Sequence, residues 1–204
     1  MSKEAFWDNL FSSKDESLYY KEPPNAEVVD IAKSLGQGAC VLDLGCGMGR
    51  SALFLAEKGF EVTAVDFSRE AIERLNSECA RRGANVRIIR QDLSHFKFEQ
   101  NYDLIIAHGS LQFLNRGCWI RLIEGMREHT NKGGYNIIAV FTDKIPTPED
   151  MEEAIGDLFK EGELFELYKD WQIILQQSYI KEDEHPGNIK HRHPINKLLA
   201  RNGK

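Results

Sequence analysis

The sequence has no apolar run approaching the roughly 20 residues that a bilayer-spanning helix needs. Its opening stretch, MSKEAFWDNL, lacks the basic-then-apolar order of a secretory signal. Cysteine is scarce, with 4 residues whose spacing fits neither a CxxC metal site nor a secreted disulfide framework. We therefore expect a cytoplasmic protein that has no membrane partner.

An excess of basic residues is also missing, because 26 lysines and arginines stand against 32 acidic residues and the net charge is -6. Nucleic-acid binding relies on clustered lysines and arginines that contact phosphates. The arginine group between Arg81 and Arg90 is flanked by acidic residues, which is typical of a solvated surface. We expect a small-molecule partner, no nucleic acid, and a monomer or homodimer.

Repeats, low-complexity tracts and linkers are absent as well, and 204 residues fit one domain with a single core. We expect residues 1–25 to form an N-terminal cap segment and residues 38–204 to form the core. The cap has apolar residues at helical spacing and ends near a Pro-Pro pair. Its aromatic residues are candidates for a mobile lid, or else pack on the sheet edge: Trp7, Phe11, Tyr19 and Tyr20.

Strand-like apolar runs alternate with helix-like segments through most of the chain. The runs are ACVLDLG, EVTAVDF, NVRIIRQDL, YDLIIAHGS and GGYNIIAVFT. Continuous Val, Ile and Leu between helices are typical of a parallel sheet covered on both faces. Residues 151–167 are helical in pattern, and WQIILQQSYI and HRHPINKLLARN follow as two strands. Their connection is too short for a parallel crossover, which predicts an antiparallel hairpin.

Three glycines follow the first strand: Gly45, Gly47 and Gly49. Glycine lets a ligand approach the backbone closely. The dinucleotide pattern GxGxxG would need a glycine where this chain has Arg50. Asp43, two residues before the first glycine, would repel phosphates but can pair with an ammonium group. Cys46 lies inside the turn, where we interpret it as a packing residue rather than a nucleophile.

Two further acids end the next strands, at the edge where open α/β sheets bind ligands. Asp66 can accept both hydroxyls of a ribose, and Asp92 can accept the exocyclic amine of an adenine. Each acid alone is equally well explained as a helix cap or turn former. Together, Asp43, Asp66 and Asp92 match the ammonium, ribose and adenine groups of S-adenosylmethionine, in that order.

The motifs VLDLGCGMG, AVDFS, QDL, YDLIIAHGSLQFL and NKGGYNIIAV resemble those of class I S-adenosylmethionine-dependent methyltransferases. The resemblance implies an α/β, Rossmann-like sheet of seven mostly parallel strands, with helices on both faces and an antiparallel C-terminal strand. It also implies cofactor contacts from Gly45, Gly47, Asp66, and Asp92 with Leu93, and places residues 108–111 at the methionine end. With the residues singled out above, the expected contacts of S-adenosylmethionine and its product S-adenosylhomocysteine are Tyr20, Asp43, Gly45, Cys46, Gly47, Gly49, Arg50, Asp66, Phe67, Asp92, Leu93 and His108.

The stretches GCGMGRSALFLAEKGFEVTAVD, TNKGGYNII, FKEGELFELYKDWQ and LLARN are similar to the tellurite-resistance methyltransferase family. In that family, a histidine and arginines near the C-terminus line the acceptor site, and the nearest matches are His185 and Arg192. The family often has arginine where this chain has Pro186, and asparagine where it has Ser51. The resemblance implies methyl transfer to a small molecule, with a chalcogen oxyanion (tellurite or selenite), a thiol or a similar nucleophile as candidate acceptors.

The expected catalytic residues are His185, Arg192 and His108. An alcohol or phenol acceptor would need a general base, which either histidine can supply, and Arg192 can hold an oxyanion. The alternatives are an exposed His185, a His108 bonded to a carbonyl, and a surface ion pair of Arg192 with Glu182 or Asp183. His191 and His193 share a strand face and could bind a metal with His185, but no clearly placed cysteine or carboxylate completes the set, so we expect no metal.

Other functions compete with methyl transfer. A non-catalytic protein that senses S-adenosylmethionine or binds a partner would keep the same motifs. A nicotinamide oxidoreductase is disfavoured by Arg50 and Asp43, and an RNA methyltransferase by the acidic charge.

Overall fold

The computed structural model describes residues 3–148, 151, 154–185 and 189–203. Its strands are β1 (Cys40–Leu44), β2 (Glu61–Asp66), β3 (Val86–Arg90), β4 (Tyr102–His108), β5 (Thr130–Phe141), β6 (Gln172–His185) and β7 (Ile189–Arg201). Its helices are α1 (Lys3–Ser12), α2 (Glu16–Tyr19), α3 (Ala26–Ala32), α4 (Arg50–Glu57), α5 (Arg69–Arg82), α6 (Arg116–Glu128) and α7 (Glu163–Leu167). None of the helices in these ranges is long and apolar enough to cross a membrane.

The seven strands form one sheet in the order β3-β2-β1-β4-β5-β7-β6. Neighbours from β3 to β5 are parallel, whereas β7 is antiparallel to both β5 and β6. One strand therefore opposes the other six, and the predicted fold class is confirmed. The strand order reverses between β1 and β4, and such a switch point opens a crevice at the carboxyl ends of the strands.

Helices cover both faces of the sheet, each over its own apolar core. One core contains Trp119 and Met126 of α6 together with Phe159 and Tyr168, all fully buried. The other joins α3, α4 and α5 to the opposite face, with Leu75 at its centre. Burying the sheet on both sides explains why β1, β2 and β4 are continuous apolar runs.

Helix α5 begins and ends as the sequence predicts. The Ser68 hydroxyl accepts the Ala71 N–H at 3.2 Å, and Gly83 ends the helix in the left-handed conformation, at a φ of 66°. The cap follows β2 by a single residue, so Asp66 is held between a buried strand and the first turn of the helix.

The helix expected over residues 151–167 is wrong for most of that range. Among the described residues of that range, 151 and 154–167, only α7 is a regular α-helix, and Phe159 instead forms an isolated parallel bridge with Thr142. Phe159 also stacks on Trp119, with ring centroids 3.9 Å apart. Burial of the Phe159 ring against α6 requires an extended backbone at this residue. Tertiary packing therefore overrides the local helical preference.

Strands β6 and β7 form the expected antiparallel hairpin, paired from Gln172↔Arg201 to His185↔Ile189. Strand β5 ends at Phe141, opposite Ile195, so the far end of the hairpin projects beyond the carboxyl edge of the sheet. The turn predicted at Pro186-Gly187-Asn188 lies outside the described residues.

Candidate active site at the carboxyl edge

Three cavities meet at the carboxyl edge of the sheet. The first, of about 440 Å³, is lined by Asp66, Asp92 and Leu93; the second, of about 350 Å³, by Phe141 and His193. The third, of about 250 Å³, is lined by Asp43 and Arg50. His108 lines all three cavities, Gly45 and Cys46 line the first and third, and Trp7, Gly109 and Phe113 line the first and second. The three cavities are therefore adjacent to one another around His108.

The glycine turn after β1 is held from two sides. A Cβ on Gly45, whose φ is 75°, would lie 2.3 Å from the Cβ of Ser110, so only glycine permits this approach. The Ser110 hydroxyl donates to the Leu44 carbonyl at 2.8 Å. On the other side, the Asp66 carboxylate accepts the N–H groups of Gly47 at 2.8 Å and Ser68 at 2.9 Å.

These bonds determine what the turn can bind. The Gly45 N–H already donates to the Val65 carbonyl at 2.8 Å, and the Gly47 N–H donates to Asp66. A phosphate-binding turn would need N–H groups free to donate to the ligand. This turn suits a cationic ligand better than a pyrophosphate, as the sequence predicts from Asp43.

Asp43 is 4% exposed at the end of β1, on the wall of the third cavity. Burial, followed by the nearby charge of Asp66, raises the pKa of Asp43 to about 7. A buried carboxylate that faces a cavity is stabilised by any cation that enters it. Its position fits the ammonium group for which the sequence singled it out.

Arg50 lies at the start of α4 and faces the same cavity. Its guanidinium carbon lies 4.1 Å from the centroid of the Tyr19 ring, and its Nη1 donates to Glu22 at 2.9 Å. Its Nε is buried and has no hydrogen-bond partner among the described residues. The third cavity thus presents a buried acid and a buried donor, which suit the ammonium and carboxylate of an amino-acid group.

The first cavity combines carboxylates with apolar walls. Phe67 and Leu93 line it, and both aspartates reach it. Asp92 is exposed and accepts the Ser94 N–H at 2.7 Å, so it caps the short 3-10 turn Leu93–His95 while also lining the cavity. The cap and the ligand contact expected for Asp92 are therefore compatible. Apolar walls with two acids at the rim suit a ribose and an adenine.

Helix α1 covers the first cavity with Trp7 and Phe11. Asp8 accepts the Ser68 hydroxyl at 2.5 Å and the Glu70 N–H at 3.2 Å, which ties α1 to α5. Lys3 donates to the Phe113 carbonyl at 2.5 Å. Helix α1 therefore packs on the domain and lies over the first cavity, and its movement as a lid stays a prediction.

His108 ends β4 at the junction of the cavities. Burial, followed by the positive charge of Lys197, lowers the pKa of His108 to about 4. Its Nε2 is buried and has no partner in the part of the chain that the structure describes. At neutral pH, His108 is therefore an uncharged imidazole with one nitrogen available to a ligand.

Two of the expected cofactor contacts, Tyr20 and Gly49, do not line these three cavities, whereas Cys46 does. The Tyr20 hydroxyl donates to the Met48 carbonyl at 2.9 Å, and Tyr19 lines the first cavity in its place. A Cβ on Gly49 would lie 2.3 Å from the Leu75 side chain, so this glycine serves helix packing. Cys46 lines the site, but burial raises the pKa of its thiol well above the usual value, which agrees with a packing role.

The C-terminal catalytic candidates differ from expectation. Arg192 is exposed, opposite Glu182 on β6, and the cavity wall is formed instead by His193, on the other face of β7. Arg192 does not line the second cavity, and the acceptor role expected for it stays a prediction. The backbone of His185 lies at the end of β6, four residues or about 13 Å beyond Lys181. Its side chain lies outside the described part of the structure, so its role stays a prediction.

Several cavity residues escaped the sequence analysis. The second cavity is lined by Gln112, Phe113, Phe141, Lys181, His193 and Lys197. Phe141 could have been found, because it ends a parallel strand at the ligand edge. The lysines could not, because their place depends on the register of the hairpin against β5.

The chain is similar in sequence to proteins of a known family. A model of the family described as "Tellurite resistance protein TehB" matches residues 8–193. The chain is 35% identical over 202 residues to the probable S-adenosyl-L-methionine-dependent methyltransferase TehB of Haemophilus influenzae, which covers 92% of this chain and 69% of that protein.

Solved structures show the same similarity. The crystal structure of TehB from Haemophilus influenzae matches with a TM-score of 0.78 and 31% identity, over 98% of this chain and 67% of that one. The N-methyltransferase NodS from Bradyrhizobium japonicum WM9, in complex with S-adenosyl-L-homocysteine, matches with a TM-score of 0.69 over 100% of both chains. At 15% identity, this second likeness shows the fold alone.

Proposed function

The chain belongs to the TehB family of S-adenosylmethionine-dependent methyltransferases, and from this premise we propose that it binds S-adenosylmethionine across the first and third cavities and methylates a small molecule in the second. The observation that carries the proposal is the meeting of three cavities at His108. A donor and an acceptor placed on either side of such a junction come within reach of each other.

The residues of the first and third cavities fit the cofactor group by group. We assign the ammonium group to Asp43 and the carboxylate to Arg50, whose Nε has no other partner among the described residues. Asp66 accepts the ribose hydroxyls, and Asp92 with Leu93 binds the adenine. The N–H groups of the glycine turn at residues 45 and 47 are engaged within the protein, which suits a cationic ligand better than a phosphate.

When bound, S-adenosylmethionine supplies a methyl group on a positively charged sulfur; the acceptor atom bonds to that carbon, and the electron pair of the broken bond stays on sulfur. The contribution of this chain is alignment and the exclusion of water. Holding donor and acceptor in line can lower a barrier by roughly 7–11 kcal/mol. Trp7 and Phe11 cover the first cavity from solvent, which favours a reaction in which opposite charges are neutralised.

His108 is the base that this geometry supports. Its uncharged Nε2 at the junction can accept the proton of an alcohol, phenol or amine, whereas a thiolate needs no base. An imidazole of such low pKa is a weak base, so acceptors that ionise easily are favoured. Tellurite, selenite and thiols are candidates through the family, and we treat residues 1–204 as one methyltransferase domain with residues 1–25 as its cap.

Calorimetry and a turnover screen test the proposal together. We expect S-adenosylmethionine and S-adenosylhomocysteine to bind and NAD not to bind. Release of S-adenosylhomocysteine should then depend on an acceptor, in a screen of chalcogen oxyanions, thiols, phenols and amines. Binding of NAD in place of S-adenosylmethionine would contradict the cofactor assignment. Binding without turnover of any acceptor would favour a sensing or partner-binding protein.

A further inference from the structure

One wall of the second cavity is a continuous row of rings. Ring centroids are 5.5 Å apart for Phe6 and Trp7, and 4.7 Å apart for Trp7 and Phe113. The row continues from Phe113 to Phe141 at 6.2 Å and from Phe141 to His193 at 4.5 Å. All five rings line the second cavity, and they come from α1, β5, β7 and the 3-10 turn Leu111–Phe113. We call these five residues the aromatic wall.

The same cavity carries positive charge. Lys14, Lys181 and Lys197 line it, and no aspartate or glutamate does so within the described ranges. Lys197 is paired with Glu27 at 2.5 Å, and the residues that line the cavity still carry more positive than negative charge. The first and third cavities contrast with this, because both contain aspartate carboxylates.

Gln112 adds an unsatisfied polar group beside the junction. Its side chain is 0% exposed, it lines the second cavity, and neither its Oε1 nor its Nε2 has a partner among the described residues. A Cβ on Gly109 would lie 4.0 Å from that Nε2, which places the amide near His108. Buried amides normally bond at both ends, as Asn136 does with Thr130 and Tyr168.

We propose that the methyl acceptor is a flat organic anion, held with its ring against the aromatic wall and its anionic group toward Lys181, and that Gln112 binds its nucleophilic end. The inference rests on the proposed function and narrows the acceptor class. Rotation of the Gln112 amide into the cavity supplies one donor and one acceptor beside His108. A nucleophilic atom placed there lies at the junction with the cofactor cavities.

The shape and chemistry of the cavity disfavour a chalcogen oxyanion as the main acceptor. A compact, strongly hydrated anion requires hydrogen-bond donors around it, and ring faces cannot replace its water. A conjugated carboxylate or phenolate covers the rings with its own apolar face while the lysines meet its charge.

Matched probes distinguish the contributions of the aromatic ring, the carboxylate charge and the reacting element of the acceptor. We would measure S-adenosylhomocysteine release with 4-mercaptobenzoate and 4-hydroxybenzoate, with thiophenol and phenol, which lack the carboxylate, and with tellurite and selenite. We expect kcat/KM for at least one of the benzoates to exceed that of its partner without the carboxylate by about tenfold or more, the value of one charge-assisted contact. We expect tellurite and selenite to be slower than the better benzoate.

Two variants assign the contacts. Lys181→Met should remove most of the benzoate preference, and the surface variant Lys58→Met should keep it. Gln112→Leu should lower kcat/KM for the benzoates by about tenfold or more while S-adenosylmethionine affinity is unchanged, because Gln112 lines only the acceptor cavity. A preference that survives Lys181→Met, or full activity in Gln112→Leu, would overturn the assignment of that contact.

Thermal unfolding gives a test that needs no acceptor. Gln112→Leu should raise the Tm of the ligand-free protein by about 2–6 °C, because it removes an unsatisfied buried amide. Asn136→Leu, the matched control, should lower Tm, because it breaks two bonds at an equally buried site. A lower Tm in Gln112→Leu would show a structural amide and contradict a role in binding.

The failure of this inference is distinguishable from the failure of the proposed function. Turnover of tellurite or selenite above every benzoate, or binding of S-adenosylmethionine with no benzoate turnover, would overturn the flat-anion acceptor and leave cofactor binding intact. Absence of S-adenosylmethionine binding would overturn both.

Discussion

The two edges of the sheet differ in how many buried polar groups they leave without a hydrogen-bond partner. Near the amino edge, the Asn136 amide bonds at both ends, and Asp103 accepts the Cys40 N–H at 2.9 Å and the Asn131 amide at 2.8 Å. At the carboxyl edge, Arg50, His108 and Gln112 keep buried polar atoms that have no partner in the described chain, whereas at the amino edge the Nδ1 of His129 does so.

The difference shows which edge is built for stability and which for binding. Each unsatisfied buried group costs about 1–3 kcal/mol, so a protein retains such groups where a ligand later satisfies them. The shifted pKa values of Asp43 and His108 lie at the same edge. Substitutions at the amino edge should therefore change stability alone, whereas those at the carboxyl edge should separate stability from binding.

The largest effect should come from Asp66→Ala. It removes the proposed ribose contact and also the acceptor for the N–H groups of Gly47 and Ser68. We expect S-adenosylmethionine binding to weaken by about 2–4 kcal/mol and unfolding stability to fall by about 1–3 kcal/mol. Calorimetry and denaturant titration would measure the two. Asp103→Ala is the control, with a similar loss of stability and unchanged binding; equal binding in both variants would remove Asp66 from the site.

Asp43→Asn should move stability and binding in opposite directions. The pKa of Asp43 is about 7 in the folded protein against 3.8 ordinarily, so its contribution to stability is complete below the lower value and is lost as pH rises through the higher one. Near pH 8, we expect the ligand-free variant to be more stable than the wild type by of the order of 2 kcal/mol. Its affinity for S-adenosylmethionine should be about 10–100-fold weaker, because an uncharged amide replaces the partner of the ammonium.

The pH dependence sharpens this prediction. Wild-type affinity should fall as pH drops below about 7, since Asp43 of the free protein must then lose a proton to pair with the ammonium. The affinity of the Asp43→Asn variant should change little over the same range, because its amide does not titrate. Parallel pH profiles for the two proteins would contradict the assigned pairing.

Arg50→Met should act on one end of the cofactor only. We expect S-adenosylhomocysteine to bind about tenfold more weakly, whereas 5′-methylthioadenosine, which lacks the amino-acid end, should keep its affinity. Arg82→Met removes an arginine that stacks on Tyr20 and pairs with Glu57 and Glu78, and it should leave both affinities unchanged. Equal losses for both ligands in Arg50→Met would place the arginine elsewhere.

The smallest effect should come from Asp8→Ala, which removes the hydrogen bonds between α1 and the start of α5. Two hydrogen bonds are lost at the helix, and we expect about 1 kcal/mol less protection of residues 3–12 in hydrogen exchange. Cofactor dissociation should quicken if α1 moves as a lid. Unchanged exchange in α1 would show that the aromatic contacts of Trp7 with Phe113 hold the helix without Asp8.

The sequence predicts the fold, and most of the residues expected to bind the cofactor line cavities at one edge of the sheet, for local reasons. Gly45 follows β1 and Asp66 ends β2, two strands that are adjacent in both chain and space, and Ser68 and Gly83 mark the ends of α5 directly. The acceptor side depends on contacts that no local pattern encodes. His193 rather than Arg192 faces the cavity because of the register of β7 against β5, and Tyr19 rather than Tyr20 lines the site because Arg50 packs on its ring.

A crystal structure of the protein with S-adenosylhomocysteine would test the central claim most directly. We predict the adenine beside Asp92 and Leu93, the ribose on Asp66, the amino-acid end between Asp43 and Arg50, and the sulfur beside His108 with the second cavity open. Density for the ligand in the second cavity, or carboxylates of Asp43 and Asp66 turned away from it, would contradict the account.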